Sequence, residues 1–230
     1  MSKRPKICLS LNCKNIDEIN EELDRFFIYA DIVELCADKL NGIETMEKDE
    51  YANLLHKVQS YTMNKELIVD YKGNEEVKNR ILRWSMGISS YIDIDYNDSI
   101  RDELILEAKE KMTKVILSFH KFDRMLDSEE VVLQYLRMEK TKADVIKIAC
   151  MTNKKEDMYE VLNGAQKYSS LSNARPIVAI AMGKLGEESR ICMGDFGSRI
   201  SYACGSVETA PGQFNAKTLS EYLDKYYENN

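Results

Sequence analysis

The chain has 230 residues, of which 44% are hydrophobic and 31% are charged, a length and composition that suit one large α/β domain or two small ones and allow a sizeable core. The formal net charge of −7 argues against partners with a phosphate backbone or an anionic lipid surface. No run approaches the roughly 18 apolar residues that a membrane-spanning helix needs.

Short apolar runs alternate with longer amphipathic stretches along the chain. The runs are rich in Ile and Val and lack a clean polar alternation, which is typical of buried parallel strands. They cover residues 6–11, 31–35, 66–71, 91–95, 114–119, 144–150, 176–181 and 199–204. The stretches 15–29, 128–142 and 155–168 place apolar residues at helical spacing, and a last helix is expected over 219–227.

Eight strands that alternate with helices predict a (β/α)8 TIM barrel of the α/β class. The alternative is an open doubly wound sheet, which usually carries a glycine-rich turn after its first strand. Here the first strand is followed by Asn12-Cys13-Lys14-Asn15, so the barrel is preferred. No linker rich in Pro, Gly or Ser divides the chain, and we expect residues 1–230 to form a single catalytic domain.

The six cysteines show no CxxC or Cys/His spacing, which argues against a zinc site. Several of them lie in strand-like runs, where cysteine behaves as a small hydrophobic residue. No signal peptide is apparent, so we expect free thiols in a reducing cytoplasm.

Lys147 is the first candidate for chemistry, because it is a lone cation in the apolar strand 144–150. Burial disfavours an ammonium group, and a neutral amine is the form that attacks a carbonyl to give an imine. A lysine near the rim that pairs with a carboxylate is the alternative. His120 follows the strand run 114–119, where a barrel would direct it at the site as a general acid and base.

Two loops add candidates. The segment 181–190 carries two glycines and ends in Arg190, so it could hold a phosphate, clamp a carboxylate or simply lead into a helix. The segment 208–213 ends in Pro211-Gly212-Gln213 and could be a mobile lid or an ordinary turn.

Taken together, these segments resemble the type I 3-dehydroquinate dehydratase family. The resemblance runs through IVELCAD, LSFHKF, ADVIKIACM, IAMGKLGEESR, FGS and APGQ, in that order, from residue 6 to about 214. It implies a lyase that dehydrates 3-dehydroquinate to 3-dehydroshikimate in the shikimate pathway, without a metal or an organic cofactor. It also implies a homodimer.

The resemblance assigns roles to individual residues. Lys147 matches the imine-forming lysine and His120 matches the general acid and base. Glu76 falls where the family keeps a carboxylate that orients the histidine, although Glu75 is adjacent. The positions expected to contact the substrate are Ser10, Glu34, Cys36, Lys72, Met182, Arg190, Tyr202, Thr209 and Gln213. Among them, Arg190 would bind the carboxylate, Met182 and Tyr202 would form walls, and Thr209 and Gln213 would close a lid.

Two departures concern substrate binding. Cys36 and Lys72 stand where the family usually has arginines, so rigid bidentate donors are lost. A barrel of the same family that acts on a related polyol carboxylate, or a descendant that only binds, are therefore alternatives. An aldolase of the same imine-forming class is disfavoured by Glu208, which follows the last strand where such enzymes often bind phosphate. Whether Asp93 or Asp95 faces the barrel interior stays open.

Overall fold

The computed structural model of the protein describes residues 4–63 and 65–228, and eight parallel strands within them form one sheet. Nearly all strand residues are buried, because helices cover the outside of the sheet and side chains fill its inside. The strands are β1 (Lys6–Leu11), β2 (Ile32–Cys36), β3 (Glu66–Asp70), β4 (Tyr91–Asp95), β5 (Lys114–Lys121), β6 (Val145–Met151), β7 (Ile177–Met182) and β8 (Ile200–Cys204).

A helix follows each strand and packs its apolar stripe against the sheet. Helix α5 shows how local sequence sets a boundary: Asp127 accepts from the Glu130 N–H, and the Glu130 carboxylate accepts from the Asp127 N–H. The helices are α1 (Ile16–Phe26), α2 (Lys48–Thr62), α3 (Glu75–Ser85), α4 (Arg101–Glu110), α5 (Ser128–Glu139), α6 (Asp157–Ser169), α7 (Ser189–Cys192) and α8 (Ala216–Glu228). None of these described helices is long and apolar enough to cross a membrane.

The sheet closes into a barrel. Its strand order is β7-β6-β5-β4-β3-β2-β1-β8, with β1 paired to both β2 and β8. At the seam between β7 and β8, a parallel bridge joins Ile177 to Ser198, and the Arg199 N–H donates to the Ile177 carbonyl at 2.8 Å. The predicted (β/α)8 barrel is therefore confirmed.

Successive strand residues divide between two layers. Ile92 and Ile94 of β4, like Ile146 and Ile148 of β6, pack outward among helix residues. The residues between them point into the barrel, because side chains alternate across a strand. Inside the barrel, Cys8, Ile32, Ile68 and Ile116 belong to an apolar layer, whereas buried polar residues such as Ser10, Asp70 and Lys147 lie nearer the C-terminal end of the strands.

All eight predicted strands are present; eight of their sixteen boundaries are shifted by one residue, seven coincide, and the end of β5 is shifted by two. Strand β5 extends to Lys121, so His120 lies within a strand and not after it. The predicted helix 15–29 ends as an α-helix at Phe26 and continues as a 3-10 turn, while the helix predicted over 128–142 ends at Glu139. A domain over residues 1–230 stays a prediction, because 1–3, 64 and 229–230 lie outside the described residues.

Candidate active site

Lys147 lies in the middle of β6 and points into the barrel. Its side chain is 5% exposed, and its Nζ lies 2.5 Å from Asp93 Oδ2. The same Nζ lies 4.5 Å from the centre of the Tyr202 ring, a distance at which a cation is attracted to an aromatic face. The lone cation of strand β6 is thus buried between a carboxylate and a phenol ring.

The charge of Lys147 is maintained by its neighbours. Burial alone would lower the pKa of Lys147, but the carboxylates of Asp93, Glu34 and Asp70 together raise it above its ordinary value. Without a ligand the group is therefore an ammonium. To act as a nucleophile it must give up a proton, and Asp93 is within direct hydrogen-bonding distance to accept it.

An acidic group lies on β2 and β3 beside this lysine. Ser10 Oγ donates to Glu34 Oε2 at 2.5 Å, and burial raises the pKa of Glu34. Asp70 is paired with Lys72 at 3.1 Å, and burial alone would raise the pKa of Asp70, but Lys72 and Lys147 lower it. The Cys36 thiol lies 4.0 Å from Glu34 Oε2, so a small uncharged group stands beside these carboxylates.

His120 lies on β5 next to Lys147. It is the register partner of Ala149, two residues beyond Lys147 towards the C-terminal end of the strands. Its ring stacks on Phe122 with centroids 5.8 Å apart, and its Nδ1 lies 3.9 Å from Asp95 Oδ2. Burial alone would raise the pKa of Asp95, but its interaction with His120 contributes to lowering it. Asp95 is thus placed to orient the imidazole.

Glu76, the carboxylate expected to orient His120, and its alternative Glu75 lie elsewhere. Glu76 is exposed in the first turn of α3, where its N–H donates to the Asn74 side chain at 3.0 Å. Glu75 accepts a hydrogen bond from Ser99 at 2.9 Å. Among the described residues, no hydrogen bond or ion pair joins either glutamate to His120. In this conformation the carboxylate beside the histidine is supplied by β4 and not by the loop after β3.

Arg190 lies in α7, beyond Met182 at the end of β7, and both residues are buried. Its guanidinium donates to the carbonyls of Gly212 at 2.7 Å, Tyr202 at 3.1 Å and Pro211 at 3.3 Å. Burial lowers the pKa of Arg190 to about 10. The arginine expected to clamp a substrate carboxylate therefore fixes the segment after β8 in this conformation.

That segment is held as a compact turn. Gln213 Oε1 accepts from the Thr209 N–H at 2.7 Å, the Thr209 hydroxyl at 3.0 Å and the Ala210 N–H at 3.0 Å. Gly212 has φ +76°, and a Cβ there would lie 2.4 Å from the Gly183 carbonyl oxygen. Gln213 and Thr209 therefore organise the turn, which lies directly against the loop after β7.

Three carboxylates were missed or left open by the sequence reasoning. Asp93 and Asp95 could not be assigned to a face, and Asp70 was not selected. The alternation of Ile92 and Ile94 with the two aspartates indicates that both aspartates share one face of β4. The outward packing of the isoleucines shows that this face is the barrel interior. A cavity of about 420 Å³ opens at the other end of the barrel, but it contains none of the candidate residues.

Comparisons with known proteins identify the family of the chain. A family model described as type I 3-dehydroquinase matches residues 7–230. A 3-dehydroquinate dehydratase of Staphylococcus carnosus is 31% identical over 224 residues, covering 91% of each chain. The protein of the same name from Clostridioides difficile is 28% identical over 235 residues, covering 96% of this chain and 91% of its own.

Solved structures extend the likeness to three dimensions. A type I 3-dehydroquinate dehydratase from Clostridium difficile, with covalently modified comenic acid, superimposes with a TM-score of 0.89 at 26% identity. That match covers 99% of this chain and 94% of the other. A 3-hexulose-6-phosphate synthase has a TM-score of 0.62 at 13% identity, which shows a shared fold alone.

Proposed function

The chain belongs to the type I 3-dehydroquinase family, and from this premise we propose that Lys147 is the residue that forms an imine with the substrate. The reaction is the dehydration of 3-dehydroquinate to 3-dehydroshikimate, a lyase step of the shikimate pathway that serves aromatic amino-acid biosynthesis. The observation that carries the residue assignment is the burial of Lys147 within 2.5 Å of Asp93.

The first step requires neutral Lys147. Asp93 accepts a proton from the ammonium, and the amine attacks the substrate carbonyl to give a carbinolamine. Asp93 then returns its proton to the hydroxyl of that adduct, which leaves as water; the product is a protonated imine whose positive charge again faces the Asp93 carboxylate. The imine then withdraws electrons from the neighbouring carbon and makes its C–H bond acidic.

His120 performs the proton transfers of the second step. Its imidazole removes the proton from the carbon next to the imine carbon, and the electron pair moves into the imine to form an enamine. The same imidazolium then protonates the hydroxyl group that leaves as water. Asp95 supports this cycle because its carboxylate faces His120 Nδ1. Water finally hydrolyses the imine, which frees the product and regenerates Lys147.

Substrate binding is divided between polar and apolar groups. Ser10 and Glu34 form a hydrogen-bonded pair at a strand end and suit the ring hydroxyls. Lys72, whose side chain is 58% exposed, is the cation with room to move towards the substrate carboxylate. Arg190 holds the turn after β8 against the site, and its positive charge lies on the side of that turn away from the substrate.

The remaining contacts would come from strands β7 and β8 and from the turn after β8. Met182 and Tyr202 bound the site as walls, and Thr209 and Gln213 close it as part of the turn after β8. Cys36 is uncharged where the family usually has an arginine, so recognition of the substrate carboxylate rests on Lys72 and Arg190.

The family resemblance also supports a homodimer, and we propose that it works in the reducing cytoplasm, where the cysteines stay free thiols. Light scattering on the purified chain tests the assembly, because a dimer has twice the 26.6 kDa mass of one chain. A mass of one chain at all concentrations would contradict the dimer.

Turnover tests the residue assignment. Purified protein is incubated with 3-dehydroquinate, and the conjugated enone of the product is followed by ultraviolet absorbance. We expect turnover by the wild type and none by Lys147→Met, with Lys114→Met as a control at the opposite end of the barrel. Turnover by Lys147→Met at the wild-type rate would overturn the assignment.

A further inference from the structure

Tyr202 is an aromatic residue whose ring face lies against the reacting lysine. It lies on β8 in register with Cys8 and is 4% exposed. Its ring face lies 4.5 Å from Lys147 Nζ, so a substrate carbon bonded to that nitrogen must lie beside the ring. The sequence suggests only an apolar or aromatic wall here, but the side chain also carries a hydroxyl group.

This hydroxyl is buried without a hydrogen-bond partner among the described residues. Two fully buried tyrosines differ: the Tyr135 hydroxyl donates to the Val178 carbonyl at 2.7 Å, and the Tyr51 hydroxyl lies 2.8 Å from Ser85 Oγ. The Tyr227 hydroxyl also has no partner among the described residues, but it lies on α8, outside the barrel interior. A buried polar group without a partner destabilises a folded protein, and the folds that keep one usually have a use for it.

The backbone around Tyr202 is fixed by hydrogen bonds, and burial of the residue restricts the rotation of its phenol. The Tyr202 carbonyl accepts from Arg190 Nη1 at 3.1 Å, and the neighbouring Ser201 hydroxyl donates to the Arg190 carbonyl at 2.8 Å. The ring is held on its other side by the attraction between its face and Lys147. The hydroxyl is therefore presented in a set position before any ligand arrives.

We propose that the Tyr202 hydroxyl is a substrate-binding group that acquires its hydrogen bond only when a hydroxylated cyclic ketone occupies the site beside Lys147. This inference rests on the proposed role of Lys147. The partner is an oxygen on the ligand ring next to the carbon that Lys147 attacks, since that part of the ligand lies closest to the phenol. The residue thereby selects hydroxylated rings over apolar ones of the same size.

Tyr202→Phe tests this with two opposite effects, because it removes the hydroxyl and keeps the ring. The free protein should unfold about 2–4 °C higher, since an unsatisfied buried group is gone. The KM for 3-dehydroquinate should rise about fivefold with a smaller change in kcat, as expected for one lost hydrogen bond. The increase in unfolding temperature caused by saturating substrate analogue should shrink accordingly.

Tyr135→Phe is the matched control, because it removes a buried hydroxyl that is already bonded inside the protein. It should lower the unfolding temperature and leave KM unchanged. A Tyr202→Phe variant with wild-type KM overturns the inference, whatever its unfolding temperature. Borohydride trapping separates failure of this inference from failure of the proposed function. If only the inference fails, both the wild type and Tyr202→Phe are trapped at Lys147; if the proposed function fails, neither is.

Discussion

Replacing Asp93 by Asn removes the charge that faces Lys147 and leaves the side-chain volume unchanged. At 2.5 Å, Coulomb's law with an effective dielectric constant near 20 gives an attraction of about 7 kcal/mol before desolvation is counted. Removing one member of a buried pair costs about 3–5 kcal/mol in practice. Because Glu34 and Asp70 still compensate the lysine, we expect a loss near 3 kcal/mol in the free energy of unfolding.

Two assays measure the effects of Asp93→Asn. The unfolding temperature should fall by roughly 6–12 °C, given about 2–4 °C per kcal/mol for a chain of this size. The kcat should fall by at least about 10²-fold, because the amine loses its adjacent proton acceptor and the imine loses its counter-charge. Asp98→Asn is the control: Asp98 also forms a buried ion pair, with Lys78 at 2.6 Å, so it should lose stability but retain kcat.

A double variant, Asp93→Leu with Lys147→Met, checks the electrostatic origin of the loss. Both charges are replaced by apolar groups of similar size, so most of the stability should return while activity stays absent. An Asp93→Asn protein with wild-type unfolding temperature and kcat would refute the reasoning, because it would show that the pair neither stabilises the barrel nor takes part in catalysis.

Further variants and pH test other parts of the site. His120→Ala should lower kcat by about 10²–10⁴-fold while borohydride still traps substrate on Lys147, and the exposed His56→Ala should retain full activity; equal kcat for both would contradict the role of His120. Gly212→Ala should raise KM and lower the unfolding temperature more than Gly42→Ala, since both have positive φ but only the first Cβ would strike a carbonyl; equal losses would rule out a packing role for that turn. The pKa of Lys147 is raised in the folded protein, so its contribution to stability should be complete below about pH 10.4 and be lost as pH rises through the pKa of the folded state. The free energy of unfolding measured in urea should therefore fall above about pH 10.4 in the wild type and fall less in Lys147→Met. Identical pH profiles would contradict the raised pKa.

The sequence was sufficient for the fold and for the two residues proposed to carry the chemistry. Eight apolar runs separated by amphipathic stretches have few alternatives to a barrel, because parallel strands need helical connections that cover both faces or the outside. Lys147 was identifiable because a charged residue is rare in a strand that is otherwise apolar. His120 was identifiable from its position at a strand end.

The partners of these residues were not identifiable in the same way. Which face a strand residue occupies depends on packing, so Asp93 and Asp95 were assigned only once Ile92 and Ile94 were seen to pack against helices. The bonds from Arg190 to backbone carbonyls depend on how two loops approach each other, and no residue pattern encodes that distance. The exposed position of Glu76 likewise follows from the direction in which α3 leaves β3.

The central claim is that Lys147 bonds covalently to the substrate. When the protein is incubated with 3-dehydroquinate and sodium borohydride, the imine should be reduced to a stable secondary amine. Peptide mass spectrometry should then place the added mass on Lys147 alone. An adduct on another lysine, or continued turnover with no adduct at all, would contradict the account.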